Sequence, residues 1–466
     1  MRRKITKDIA IVTLSQLVSL VFSVARSLIL PLFLSVVSFG YFQTYLFYTS
    51  FTPLLCFGYN DGVYLRYGDF NYEQIPFKRL SNSNFIFLLN LVICSALTIL
   101  FSIFFVNDKN LLFSLVFTSI YIIINGINTL ILQIYQITGN FKKYSVFSIV
   151  YKVLAFVSIL LLIIYEKINF KYVILSDILS LTIVNIILIF YNKNLFTIDR
   201  NFLNGWEEYK INVKSGLPLL IGNILGLLIV GAGRFIIQFE GGIYDFSQYS
   251  FGISIASFIT ITITAVSVVL YPMIKRIELN ALADVYNRID DFLKISVLLI
   301  VPFYFVVLFL LHYYYTKYIG IIGYLSILFV IIYIQTITLI LQNTYYKVLR
   351  MERRLLYENI FSLIILLLLG IPLYRIFKSN LFIAIITLIA VYIRYYLSKK
   401  HLKTKLELKN NKNNYPELFL LVVFILATVF CPILLSLFIL IPSIIIYLIV
   451  RRSLLKSIFL KNNNVL

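Results

Sequence analysis

The chain has 466 residues, 61% of them hydrophobic and only 13% charged, with a net charge of +21. Apolar runs of about 20 residues recur from end to end, each long enough to cross a hydrocarbon core about 30 Å thick. That pattern excludes a water-soluble globular domain, and it lacks the alternating ten-residue segments of a β-barrel.

Fourteen spans are predicted, near 8–36, 40–60, 83–106, 111–138, 144–165, 169–191, 214–238, 243–272, 291–312, 321–346, 355–374, 379–397, 416–433 and 435–450. Met1-Arg2-Arg3-Lys4 precedes an apolar run much longer than a signal-peptide core, so the first span is expected to stay uncleaved. Lys and Arg fall overwhelmingly on one side of this arrangement. Only Lys109, Lys167, Lys171, Lys317, Arg375 and Lys378 fall on the other, and Arg26, Lys152 and Arg234 lie inside spans. By the positive-inside rule both termini are cytoplasmic. The basic charge is therefore topology and attraction to anionic membrane lipids, not nucleic-acid binding.

The expected fold is an all-α polytopic membrane protein. Two parallel six-helix lobes, 1–191 and 214–398, surround a central polar cavity, and two further helices follow in 416–466. Residues 192–213 read as an amphipathic cytoplasmic linker, or as a plain connector, and 399–415 as a basic cytoplasmic one. The lobes emerge from a repeat. Arg26 and Arg234 are 208 positions apart, and Asn125 and Gln136 of span 4 correspond, at an offset of 210, to Gln335 and Tyr346 of span 10. A six-span unit keeps both halves in the same sense, which is a transporter architecture with the substrate site at the repeat interface.

Polar residues inside spans point to that site. In span 1, Gln16, Ser19, Ser23 and Arg26 fall within an arc of roughly 80° at 100° per residue. Asn223 and Arg234 repeat the theme in span 7. Asn125, Asn128 and Gln136 in span 4, Ser254 and Ser257 in span 8, and Gln335 and Gln342 in span 10 complete the expected cavity lining. The same residue types also glue helices together by hydrogen bonds, and for any single helix both readings stand. A charged residue at mid-membrane costs on the order of 2.5–3.5 kcal/mol, so it faces a partner or a cavity. Arginine offers a planar fork suited to phosphate, which makes Arg26 and Arg234 candidate diphosphate ligands. Lys152 and Asp177, in sequential antiparallel spans, are read as an ion pair or as a coupling-ion site.

Enzyme signatures are missing. The two histidines, His312 and His401, are far apart, no P-loop or HExxH is present, and Cys56, Cys94 and Cys431 form no metal spacing, so neither a cofactor nor a metal is expected. A membrane glycosyltransferase would want acidic residues in its first external loop, and Ser35–Phe39 has none.

The end of span 2 reads Phe57-Gly58-Tyr59-Asn60-Asp61-Gly62-Val63-Tyr64-Leu65-Arg66-Tyr67-Gly68. It resembles the motif of Wzx-type polysaccharide repeat-unit flippases, of the multidrug/oligosaccharidyl-lipid/polysaccharide (MOP) flippase superfamily. The resemblance implies alternating-access translocation of undecaprenyl-diphosphate-linked oligosaccharides across the bacterial cytoplasmic membrane, for O-antigen, capsule or another surface glycan. It also implies a polysaccharide polymerase and a chain-length regulator as partners. Physically, Gly58, Gly62 and Gly68 suit a tight turn, while Asp61 and Arg66 clasp a neighbouring loop or touch substrate. The alternatives are a cation-coupled multidrug exporter of the same superfamily, which calls for an acidic cavity where this one is basic, and a membrane-embedded glycosyltransferase or polymerase.

Overall fold

A computed structural model describes residues 2–68, 70, 72–197, 202–258, 260, 281–408 and 415–452. Every regular element among them is a helix. The second half of expected span 8, the Asn-rich end of the basic linker and the tail beyond 452 lie outside the described residues. Among the described residues, ten helical stretches are long and apolar enough to cross a membrane, or eleven if the bent pair Gly205–Gly222 and Gly226–Glu240 counts as one span. The chain divides into two compact units, Met1–Leu225 and Gly226–Leu466, the two lobes of a multi-pass membrane protein.

Unit 1 begins with α1 (Arg2–Phe33) and α2 (Val36–Thr49), the second capped by the Ser35 side chain, which accepts from the Ser38 N–H. Expected span 2 does not continue as one helix. Pro53 starts the one-turn α3 (Thr52–Leu55), and Gly58, at φ +78°, turns the chain into α4 (Tyr59–Arg66). The long helices α5 (Phe77–Phe105), α6 (Lys109–Ile137), α7 (Phe141–Ile164) and α8 (Phe170–Tyr191) follow. Asp108 caps α6 by accepting from the Asn110 and Leu111 N–H groups and from the Tyr41 hydroxyl. Burial pushes its carboxyl up, but those donors outweigh it and hold the group below the usual carboxylate range. The cap therefore strengthens α6 above that range and fades as acidification protonates it.

The predicted linker 192–213 is not a separate surface helix in its second half: Phe202 opens α9, which runs to Glu240, and its first turns belong to unit 1. Unit 2 continues with α10 (Gly242–Ala256), α11 (Leu282–Ile295) and α12 (Ile300–Tyr313). Then come α13 (Ile322–Ile337), a π-turn at Thr338–Gln342 and α14 (Asn343–Val348). Every residue of α13 from Tyr324 to Ile337 is buried, as an apolar helix without a polar face must be. α15 (Glu352–Phe377) and α16 (Asn380–Lys405) pack as a hairpin whose turn uses Lys378 at φ +45°. The last pair is α17 (Tyr415–Phe430) and α18 (Ile433–Val450), fastened by a buried Glu417–Arg451 ion pair at 2.7 Å.

Candidate functional site

Unit 1 gathers its span charges in one cluster. Arg26 of α1 is 8% exposed and donates Nη1 to Asp177 Oδ1 of α8 at 2.5 Å. Tyr45 of α2 donates to Asp177 Oδ2 at 2.8 Å, and Tyr151 of α7 to Oδ1 at 3.1 Å. Phe42 lies 5.4 Å below the guanidinium, and Tyr121 meets Tyr45 edge-on at 5.8 Å. The predicted Lys152–Asp177 pair is thus not the one that forms. Tyr151 occupies the α7 position that bonds Asp177, so its neighbour Lys152 makes no direct ion pair there but stays in electrostatic reach of the carboxylate, with its ammonium 4.7 Å from the Tyr151 ring. Two cations share one carboxylate, and the cluster keeps a surplus positive charge.

The motif turns the chain at Gly58, but its other glycines serve a different purpose. Of the motif glycines only Gly58, next to Phe57 at φ +48°, adopts a left-handed conformation; Gly62 is helical, and Gly68 has no positive φ. A Cβ at Gly62 would overlap the Asn212 carbonyl, and one at Gly216 would overlap the Gly58 carbonyl and the Gly62 nitrogen. Gly58 and Gly62, four apart, let α4 and α9 cross backbone to backbone, as small residues do in membrane helix pairs. The crossing is clamped by Glu208 of α9, which is fully buried. It receives Arg66 Nη1, Arg79 Nε at 2.9 Å and the Tyr67 hydroxyl at 2.7 Å, while Arg66 also reaches Asn212 Oδ1 at 2.5 Å. Arg66 therefore clasps α9, and Asp61 stands half-buried on the same short helix.

Removing Arg66 leaves Glu208 with Arg79 and Tyr67. Arg66→Ala is expected to cost about 1.5–3 kcal/mol, the value of hydrogen bonds to a charged group. Arg79→Ala, at a side chain 52% exposed, is expected to cost under about 1 kcal/mol. Trp206, the only tryptophan, sits on the same helix, so its fluorescence during thermal unfolding measures both.

In unit 2, Arg234 of α9 is half-buried next to Gly233. A Cβ at Gly233 would lie 2.8 Å from Thr387 Oγ1, so α9 and α16 run close together there. A second arginine was missed from sequence. Arg394 of α16 is fully buried, although its span reads as nearly all apolar. It donates Nη1 to Gln335 Oε1 at 3.3 Å and Nη2 to Asn343 Oδ1 at 3.0 Å, and the buried Glu358 carboxylate acts on it electrostatically without a direct hydrogen bond among those described. Asn380, Thr387, Arg394 and Ser398 share one face of α16, and that stripe was the available signal.

The expected lining residues separate into groups. Asn128 is buried and donates to Asn185 Oδ1 at 2.8 Å, and Asn185 donates to the Ile124 carbonyl at 2.6 Å, so Asn128 joins helices rather than lining a cavity. Gln335 and Gln342 are likewise interior to unit 2, donating to the Gly226 and Tyr395 carbonyls at 2.7 and 3.0 Å. Ser23, Ser254 and Ser257 bond back to carbonyls of their own helices. Gln16 donates to the Tyr144 hydroxyl at 2.9 Å, and Ser19 is buried beside it in sequence. Asn125 and Gln136 are half-buried on one face of α6. The Asn223 side chain lies outside the described residues.

No protein-family model matches the sequence, and no curated protein matches it. Solved structures do match. An outward-facing multidrug resistance MATE family transporter of the MOP superfamily aligns with TM-score 0.62 at 13% identity, covering 86% of this chain and 96% of its own. An inward-facing form of such a transporter gives the same values. A MOP superfamily transporter from Pyrococcus furiosus, whose binding pocket of reverse polarity suggests a different function, aligns with TM-score 0.54 at 10% identity over 87% and 97% of the two chains. The likeness establishes the fold: a two-lobed, all-helical arrangement shared with MATE-like transporters.

Proposed function

We propose that this chain, built on the fold of MOP superfamily transporters, is a flippase for a lipid-linked oligosaccharide. Its cargo carries an anionic diphosphate and moves from the inner to the outer leaflet of a bacterial cytoplasmic membrane by alternating access. The observation that supports this reading is the sign of the charge inside the spans. Unit 1 holds Arg26 and Lys152 against Asp177, and unit 2 holds Arg234 and a fully buried Arg394 whose direct hydrogen bonds go to amides, with Glu358 as the carboxylate in electrostatic reach. A surplus cation in hydrocarbon is expensive unless an anion visits it. Arg26 and Lys152 of unit 1 are candidate diphosphate ligands, and Arg234 of unit 2 is a candidate in its own unit. Asp177 acts as the resident counter-ion that Arg26 releases. Asn125 and Gln136 are suited to sugar hydroxyls.

A second reading, a cation-coupled multidrug exporter, is favoured by the MATE neighbours, two of which are multidrug resistance transporters. In that reading Asp177 is the coupling site. A strain lacking the gene separates the two. Complemented with wild type, lipid-linked repeat units are expected to reach an external probe; with Arg234→Gln, export is expected to fall about tenfold or more, the value of one charge-assisted contact. If deletion leaves the glycan unchanged and lowers tolerance to organic cations, the exporter reading stands instead.

A further inference from the structure

The first turns of α9 present two faces. One, formed by Gly205, Glu208, Asn212 and Gly216, is buried against α4 and α5. The other carries Trp206, Lys210, Lys214 and Leu217, which fall within an arc of about 80° at helical spacing. Trp206 is 43% and Leu217 38% exposed, and both lysines are exposed. Ile211 borders this arc and is also exposed, and so does the exposed acid Glu207.

The Lys210 ammonium lies 5.1 Å from the Trp206 ring. Trp206 stacks on Tyr209 at 5.7 Å, Tyr209 on Tyr59 at 5.3 Å, and Tyr59 on Phe87 at 4.6 Å. Four rings thus run in a column from the surface to the core, passing through Tyr59 of the motif helix.

We propose that this face binds the headgroup of an anionic phospholipid. Charge complementarity favours it: on this face, among the described residues, Lys210 and Lys214 stand against Glu207 alone. The apolar members decide between a lipid and a soluble polyanion. A site facing water would leave Trp206, Ile211 and Leu217 uncovered, whereas at a bilayer surface tryptophan and aliphatic groups sit at headgroup level with lysines beside them. Through the ring column, a headgroup seated on Lys210 and Trp206 orders Tyr209 and Tyr59, and so bears on the crossing of α4 with α9. This inference does not depend on the cargo.

Trp206 being the only tryptophan, its emission reports this face alone. The full chain is reconstituted in phosphatidylcholine vesicles containing phosphatidylglycerol, with brominated acyl chains on one lipid or the other. Bromine on phosphatidylglycerol is expected to quench Trp206 more than the same mole fraction on phosphatidylcholine, with a local enrichment of about fivefold per lysine. The double change Lys210→Gln/Lys214→Gln is expected to abolish that preference, and Lys400→Gln/Lys403→Gln in unit 2 to leave it intact. Equal quenching by both lipids in wild type overturns the proposal. So does a preference that survives Lys210→Gln/Lys214→Gln or is lost equally in the unit 2 variant. If Trp206 responds to inorganic polyphosphate and not to brominated phosphatidylglycerol, the face takes a soluble polyanion and the lipid proposal falls.

Discussion

Asp177→Ala is expected to destabilise unit 1 by about 3–5 kcal/mol, the cost of removing one partner of a buried ion pair. Arg26 would keep its charge at 8% exposure with no carboxylate, and the Tyr45 and Tyr151 hydroxyls would lose their shared acceptor. Asp177→Asn retains a carbonyl for one of those donors and is expected to cost less. Removing both charges, in Arg26→Met with Asp177→Leu, is expected to recover only part of that loss: the Arg26 charge is no longer buried without a partner, but Lys152 and the Tyr45 and Tyr151 hydroxyls still lose Asp177. A double-mutant cycle followed through Trp206 during thermal unfolding measures the coupling. If Asp177→Ala unfolds within about 1 kcal/mol of wild type, the pair does not hold α1 against α8.

The crossing of α4 and α9 is expected to be at least as sensitive. Gly62→Ala places a methyl group inside the Asn212 carbonyl, and Gly216→Val fills the space of the Gly58 carbonyl and the Gly62 nitrogen. Backbone meets backbone at both positions, so no rotamer relieves the overlap. The helices must separate, and separation draws Glu208 away from Arg66 and Arg79. The expected cost is about 3 kcal/mol or more for each, the upper end of overpacking. Gly222→Ala is the internal control, with no described atom within 4 Å of its added Cβ. In an open helical position the same change is expected to stabilise by roughly 0.5–1 kcal/mol. Folded protein recovered from membranes, together with its unfolding temperature, distinguishes them. Equal recovery of Gly62→Ala and Gly222→Ala contradicts the close crossing.

Helix positions were legible because a span needs only length and apolarity, and residues such as Pro53 and Gly58 mark where span 2 breaks. The two-lobed plan was legible from the spacing of Arg26 and Arg234. Partner choice was not. Depth along a helix placed Asp177 near Lys152, but it could not say that α1 packs on α7, which is what brings Arg26 within reach of Asp177 on α8. Helical angle showed that Asn128, Gln335 and Gln342 share faces with other polar residues; it did not show whether a neighbouring helix or a cavity lies opposite. Arg394 was hidden by its place near the end of an apolar run and before Lys399 and Lys400. The glycines of the motif carried a readable signal in part: Gly58 makes the expected turn, while Gly62, inside α4, serves close approach to α9, which the sequence did not distinguish from a second turn.

The sign of the cargo's charge is the central claim, and ligand-induced stabilisation reads it directly. Purified full-length protein is unfolded by heat, with Trp206 as reporter, in the presence of undecaprenyl diphosphate or of tetraphenylphosphonium. A ligand that binds only the folded state stabilises it by about 2.7 kcal/mol at a hundredfold excess over Kd. The account predicts stabilisation by the diphosphate lipid, lost in Arg234→Gln, and none by the organic cation. Stabilisation by tetraphenylphosphonium with no response to the diphosphate would contradict it and identify an exporter of cations.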